Sequence, residues 1–473
     1  MKRYNSLLEV QKDIQLGILT CLDLVKYYLD NISEKSNLNA FIEVYTEEAI
    51  QKAKEVDTKI KAGTAGKLAG MVIGLKDVLC HKDHKLTASS KILETFESQF
   101  TGTAIERILT EDVIVIGRQG CDEFAMGSSN EKSIYGVVRN ADNLNKVPGG
   151  SSGASAVAVQ ADMCLTSLGS DTGGSVRQPA SFCGIYGLKP TYSRISRYGL
   201  IAYASSFDTI GIFSRSIHDN ALLLEVMAGK DEFDATVSQN PVPNYLASIN
   251  NKPQKLRIAY LENGITGEGL QDEVATQTKL AIEKLKSSGH TVEPIKFDNL
   301  EYILPAYYIL TTAEASSNLS RFDGVRYGHR SAETTDLMSM YKKSRSEGFG
   351  KEVKKRIMLG TFVLSAGYFD AYYAKAQKLR RLIKDETNSI LSSYDYIICP
   401  TAPTTAWNIG DKADSLSMYL ADLFTVQASL CGLPAISIPN GKDKSGMPIG
   451  LQIIGKAFDE ENLLSFSNYF DSL

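Results

Sequence analysis

Between residues 120 and 215 the chain is built largely from glycine, serine and alanine, in stretches such as "VPGGSSGASAVAVQADMCLTSLGSDTGGS" (147–175). A flexible linker of that composition would lack apolar runs, yet strand-like and helix-like runs alternate inside this one. "ASAVAVQA" (154–161) reads as a small-residue helix packed tightly on a sheet, and "MCLTSLG" (163–169) as a strand. The alternation continues on both sides. "MVIGLKD" (71–77), "VIVIG" (113–117), "LRIAYLE" (256–262), "HTVEPI" (290–295), "YDYIICP" (394–400), "PAISIP" (434–439) and "IGLQIIG" (449–455) read as strands. Helices are expected over 6–33 (two), from Thr46 to about Lys61, over 270–288, and over 351–391 as one or two. Ser6 with Glu9, and Thr20 with Asp23, have the spacing of helix-start capping boxes. Strands alternating with helices make an α/β protein. The glycine-rich centre joins sequence on both sides, so one domain over 1–473 is expected, with 1–65 as a helical segment packed on it. "NPVPNYLASINNKPQ" (240–254) is the best linker candidate.

Composition excludes several classes of function. The 51 basic and 55 acidic side chains give a net charge of −4. A chain that gripped nucleic acid by itself would carry a basic stripe. The nearest approaches, "KEVKKR" (351–356) and "KLRRLIK" (378–384), read as solvated helix faces. No run of eighteen apolar residues suggests a membrane span, and the N-terminus lacks the apolar core of a signal peptide. The seven cysteines are scattered with no CxxC pair, which argues against a disulfide framework or zinc ribbon and for a reducing cytoplasm.

The stretch "SLGSDTGGSVRQPA" (167–180) brings a glycine pair up to Ser175, which suits a nucleophile beside exposed backbone N–H groups. No histidine lies near it. Gly149, Ser151 and Gly153 match the nucleophile elbow of α/β-hydrolases, but His218, His290 and His329 have no telling context. Ser129 and Lys132 match S-x-x-K without the K-T-G that should follow. His81 and His84 have no acidic or cysteine partner at ligand spacing and read as loop residues, so no metal is expected. The remaining base is Lys76, at the end of an apolar strand. Desolvation there would lower its pKa, and reaching about 7.5 costs about 4 kcal/mol. On composition alone Lys76 reads equally well as a surface lysine at a strand end.

Three stretches, "GLKD" (74–77), "PGGSSGASA" (148–156) and "GSDTGGSVRQPASFCGIYGLKPT" (169–191), together resemble the amidase signature family. The resemblance implies one α/β domain around a mixed, twisted central sheet flanked by helices. It implies a catalytic set of Lys76, bridging Ser151 and nucleophilic Ser175, with Thr172, Gly173, Gly174 and Ser175 supplying backbone N–H groups to the oxyanion. The glycine pair would leave room for the substrate carbonyl. It also implies a cis peptide, whose best match is Gly174–Ser175. Arg177 and Asp171 would form a supporting ion pair, and Ser128 would line the pocket. Ser152, Ser155, Ser167 and Ser170 read as packing or turn residues.

"SSNLSRFDGVRYGHR" (316–330), "GFGKEVKKRIMLGTFVLSAGYFDAYY" (348–373) and "LADLFTVQASLCGLPAISIP" (420–439) resemble one branch of that family, the glutamine-hydrolysing A subunits of bacterial glutamyl-tRNA(Gln) amidotransferases. That branch implies a heterotrimer with subunits B and C and no cofactor in this chain. ATP and magnesium would belong to the partner that handles mischarged Glu-tRNA(Gln). Arg356 would take the glutamine α-carboxylate, Asp422 its ammonium, and Tyr307, or the adjacent Tyr308, a further hydrogen bond. From sequence alone these are a helix-surface Arg, a solvent-facing Asp and a core Tyr. The rival function is a stand-alone amidase for aliphatic or aryl amides.

Overall fold

Eleven strands form one continuous mixed sheet in the computed structural model, which describes residues 1–267, 269–411 and 415–473. They are β1 (Phe41–Val44), β2 (Val72–Lys76), β3 (Ile114–Gln119), β4 (Thr166–Asp171), β5 (Tyr186–Lys189), β6 (Thr209–Ser214), β7 (Arg257–Leu261), β8 (Thr291–Ile295), β9 (Tyr396–Pro400), β10 (Ala435–Lys442) and β11 (Pro448–Ile454). Their spatial order is β1-β3-β2-β4-β6-β5-β10-β11-β9-β7-β8. Pairing is parallel through β3, β2 and β4, antiparallel from β4 to β9, and parallel again through β9, β7 and β8. Every residue of β2, β3, β4, β6, β9 and β11 is buried, because helices cover both faces. That is why β2, β9 and β11 read in the sequence as largely apolar runs rather than alternating ones.

The N-terminal segment begins with helices Leu7–Gln15 and Cys21–Glu34, as the caps predict. Thr20 and Asp23 form a complete capping box. Ser6 caps the first helix through the Glu9 N–H, while the Glu9 carboxylate turns to the Asn5 N–H rather than to Ser6. The segment is not wholly helical: Phe41–Val44 adds an edge strand to the sheet. Short, half-buried FIEV carries no clear alternation, which is why the sequence does not announce it. Residues 240–254 are packed rather than extended as a linker. Tyr245 is fully buried, and the Asn240 and Pro241 carbonyls accept from Arg194.

Two features of this architecture place the site. The β2–β4 register pairs Leu75 with Leu168, so Lys76 leaves the sheet beside Gly169 and Ser170, at the carboxyl ends of parallel strands. The helix Gly153–Gln160 is buried along its whole length against this region, and its small side chains allow the close approach. Separately, helices Leu300–Asn318 and Lys351–Val363 cross closely at Gly360, where any Cβ would run into the Thr312 carbonyl. The basic stretch 351–356 is only partly a solvated face: Lys351, Lys354 and Lys355 are exposed but Arg356 is buried. All seven cysteines are unpaired and buried, and no described helix is long and apolar enough to cross a membrane.

Candidate active site

Lys76 is fully buried, so the surface reading fails. Its Nζ lies 2.7 Å from Ser151 Oγ, 2.8 Å from Ser152 Oγ and 2.9 Å from Ser170 Oγ. Burial lowers its pKa to about 8, against the opposing pull of Cys121, Asp122, Asp171 and Asp208. Ser152 also donates to the Ser170 carbonyl at 3.1 Å, so towards the lysine it serves as an acceptor. Three hydroxyl oxygens around one amine match the three N–H bonds of an ammonium. The cage therefore favours the charged lysine, and burial favours the neutral one. Ser152 and Ser170 are thus more than the packing residues that the sequence suggests. Ser155 and Ser167 keep structural roles, donating to the Leu168 carbonyl and to Gln119 Oε1.

Ser175 stands at the end of the turn that follows β4, and its carbonyl accepts the Ser152 N–H at 3.2 Å. Among the described residues no hydrogen bond joins the Ser151 and Ser175 hydroxyls. The cis peptide lies at Gly150–Ser151, not at Gly174–Ser175. The backbone there is held by the Gly150 N–H on Gln178 Oε1 (2.9 Å) and by the Ser151 carbonyl, which accepts from the Asp122 N–H (3.2 Å).

The turn itself corrects part of the expected oxyanion site. The Gly174 N–H donates to Asp171 Oδ1 at 2.9 Å and so is already engaged. Gly173 and Ser175 keep N–H groups with no protein partner among the described residues. Thr172 uses its hydroxyl on Asp208 Oδ1 at 2.6 Å. The glycine pair also answers to close contacts within the protein itself. A Cβ on Gly173 would collide with the Tyr307 hydroxyl, and one on Gly174, where φ is +136°, with Thr425. Thr425 Oγ1 donates to the Gly173 carbonyl at 2.6 Å. Below the turn, Arg177 grips Asp171 with Nε at 3.0 Å and Nη2 at 2.8 Å. Burial alone would raise the Asp171 pKa, but Arg177 holds it below the ordinary value.

Helices and the segment around residue 422 build the other end. Asp422 accepts from Tyr308 Oη at 2.7 Å and from Ser128 Oγ at 3.0 Å. Burial raises its pKa to about 6, while these two donors and Arg356 pull the other way. Tyr308, not Tyr307, makes the aspartate contact; Tyr307 stands over Gly173. Arg356 projects inward from helix Lys351–Val363. Its Nε donates to Glu352 Oε1 and its Nη1 to Tyr203 Oη, both at 2.9 Å. Its guanidinium carbon sits 5.5–5.7 Å from the ring centres of Tyr203, Tyr308 and Tyr419. Several guanidinium N–H groups remain for a ligand.

These ends meet. Ser128 contacts Asp422 by its side chain, and its carbonyl accepts from Gln178, which in turn accepts from the Gly150 N–H. Thr425 touches Gly173, and its hydroxyl oxygen also lies 3.0 Å from the Asp422 carbonyl. The tyrosines and Glu352 around Arg356 leave no motif in the sequence. The spacing of Glu352 and Arg356, four apart on one helix, is the only signal for that pair.

The comparisons agree with this geometry. The amidase family model matches residues 23–464. The chain is 50% identical over 467 residues to the A subunit of the glutamyl-tRNA(Gln) amidotransferase of Chlorobium phaeobacteroides, covering 98% of each. Among solved structures, it resembles the A subunit of the glutamyl-tRNA(Gln) amidotransferase of Thermotoga maritima at a TM-score of 0.79 and 38% identity, covering 96% of this chain and 94% of that one. It also resembles a peptide amidase of Stenotrophomonas maltophilia at a TM-score of 0.82 and 26% identity, covering 98% and 95%. With a model match spanning nearly its whole length, this chain belongs to the amidase family.

Proposed function

We propose that this chain is a cytoplasmic glutaminase, the component that releases ammonia from glutamine for a tRNA-dependent amidotransferase. The observation that carries the reading is the pairing of a buried serine–lysine centre with a buried Arg356 and a buried Asp422 at the far end. Glutamine needs both charges: a guanidinium for its α-carboxylate and a carboxylate for its α-ammonium.

Neutral Lys76 takes the proton of Ser151, Ser151 takes that of Ser175, and Ser175 Oγ attacks the side-chain amide carbon. The tetrahedral oxyanion lies against the free N–H groups of Gly173 and Ser175; one such donor is typically worth about 3 kcal/mol. Lys76 is now an ammonium, the form the three hydroxyls favour, so the cage stabilises the state reached by attack more than the neutral one that precedes it. Returning the proton through Ser151 to the amide nitrogen breaks the C–N bond and frees ammonia. Water then attacks the acyl-serine with the same relay, releasing glutamate. Partner subunits B and C, with ATP and magnesium, would use the ammonia to convert Glu-tRNA(Gln) to Gln-tRNA(Gln).

The test measures ammonia release from glutamine, asparagine, propionamide and benzamide by the chain with its co-purifying partners. Preference for glutamine, rising with ATP and Glu-tRNA(Gln), is expected. In an assembly carrying Ser175→Ala, ammonium salts should restore tRNA amidation. Preference for apolar amides, indifferent to tRNA, would instead identify a free-standing amidase.

A further inference from the structure

Asp208 is a buried carboxylate with no Lys, Arg or His at ion-pair distance among the described residues. Such a group is costly unless its hydrogen bonds are complete. It accepts the N–H groups of Tyr203 (2.9 Å) and Ala204 (3.0 Å) on Oδ2, which closes the loop 203–208. Its other oxygen leaves that loop and takes the Thr172 hydroxyl at 2.6 Å. Closing the loop alone would not require this second contact.

Thr172 begins the peptide unit that ends in the free Gly173 N–H. Beyond it, the Gly173 carbonyl is fixed by Thr425 and the Gly174 N–H by Asp171. Asp208 is therefore the anchor on the near side of the oxyanion donor. The same loop reaches the other end of the site, where the Tyr203 hydroxyl accepts from Arg356 and donates to Thr311 Oγ1 at 3.1 Å. Phe207 completes the connection by meeting Tyr307 edge-on at 5.8 Å.

We infer that Asp208 is a positioning residue: through Thr172 it sets the Gly173 N–H for the oxyanion, in register with the arm that holds Arg356. The inference rests on the proposed nucleophile and turn, not on which amide is cleaved. Burial raises the Asp208 pKa to about 7, so above that pH its negative charge would oppose an oxyanion, and a purely electrostatic role predicts faster chemistry when the charge is removed. Positioning predicts slower chemistry.

The experiment compares Asp208→Ala, Asp208→Asn, Thr172→Val and the Thr172→Val/Asp208→Ala double variant in the co-purified assembly. The readouts are kcat and KM for glutamine and propionamide, and the rate at which a fluorophosphonate labels Ser175. Thr172→Val and Asp208→Ala should each lower kcat about 10- to 100-fold on both amides, with KM for glutamine within about threefold, and should slow labelling in parallel. Asp208→Asn, which keeps an acceptor for the loop N–H groups, should lose less. The double variant should be no worse than the poorer single one, because both break one contact. Multiplying losses, a gain in kcat, or a raised KM with kcat intact would overturn the inference. If Asp208→Ala does not fold, Thr172→Val decides alone, and an unchanged kcat sinks it. A wild type that labels at Ser175 but ignores glutamine would count against the proposed function while labelling still reads the turn.

Discussion

The lysine end of the site and the arginine end solve different problems with different materials. Among the described residues only hydroxyls hydrogen-bond to Lys76 Nζ, those of Ser151, Ser152 and Ser170, carried on strand ends and the loops beside them. Around Arg356 and Asp422 there are charges and rings: Glu352, Tyr203, Tyr308 and Tyr419. The first end offers a substrate nothing but chemistry on a carbonyl, so it suits any amide. On the proposed function, the second would offer an ion pair's worth of recognition and so would decide which amide stays. Three hydroxyls offset the burial of a lysine that alternates between charged and neutral; a buried Arg and a buried Asp need aromatic faces and hydroxyls to offset lost hydration.

Substitutions should separate the two ends. Lys76→Ala, Ser151→Ala and Ser175→Ala are expected to lower turnover at least about 10³-fold for glutamine and propionamide alike, measured as ammonia release. Retention of more than a tenth of the activity by Lys76→Ala would mean that another group is the base. Arg356→Ala should raise KM for glutamine about 10²-fold with kcat nearly kept, and leave propionamide unaffected. An effect on both amides would erase the division of labour.

The pH profile is the subtler comparison. As the proposed base, Lys76 would act in its neutral form; burial lowers its pKa to about 8, so that form prevails above that value. Below it, kcat/KM should fall about tenfold per pH unit for both amides. Asp422, raised to about 6, is ionised above that pH and loses its charge below it. A second loss should therefore appear under pH 6 with glutamine but not with propionamide. Identical profiles for the two would remove Asp422 from ammonium recognition.

The lysine end is largely legible in the sequence because its residues sit in two short stretches and one strand end. What escapes is partnership: "GSD" does not reveal that Ser170 reaches Lys76, since that depends on the parallel β2–β4 register. The cis bond falls at a different glycine–serine pair from the expected one because 150–151 and 174–175 look alike as dipeptides. The oxyanion turn is half readable. No spacing rule says that Asp171 claims the Gly174 N–H. The arginine end is invisible without a resemblance, for Ser128 and Asp422 stand 294 residues apart and Tyr308 and Asp422 stand 114 apart. In the fold, buried strands announce themselves by their apolar runs, whereas β1, β5 and β6 do not, being short, glycine-bearing or half-buried.

The collisions that a Cβ would cause at Gly173 and Gly174 bear on how this sequence can drift. Tyr307 and Thr425 press on those two positions from within the protein itself. A descendant that lost Lys76 or Ser175 would still be selected, for foldability alone, to keep the glycines. The most recognisable letters of the motif thus record inheritance of an architecture, and the lysine and the serine are the letters that testify to a working enzyme.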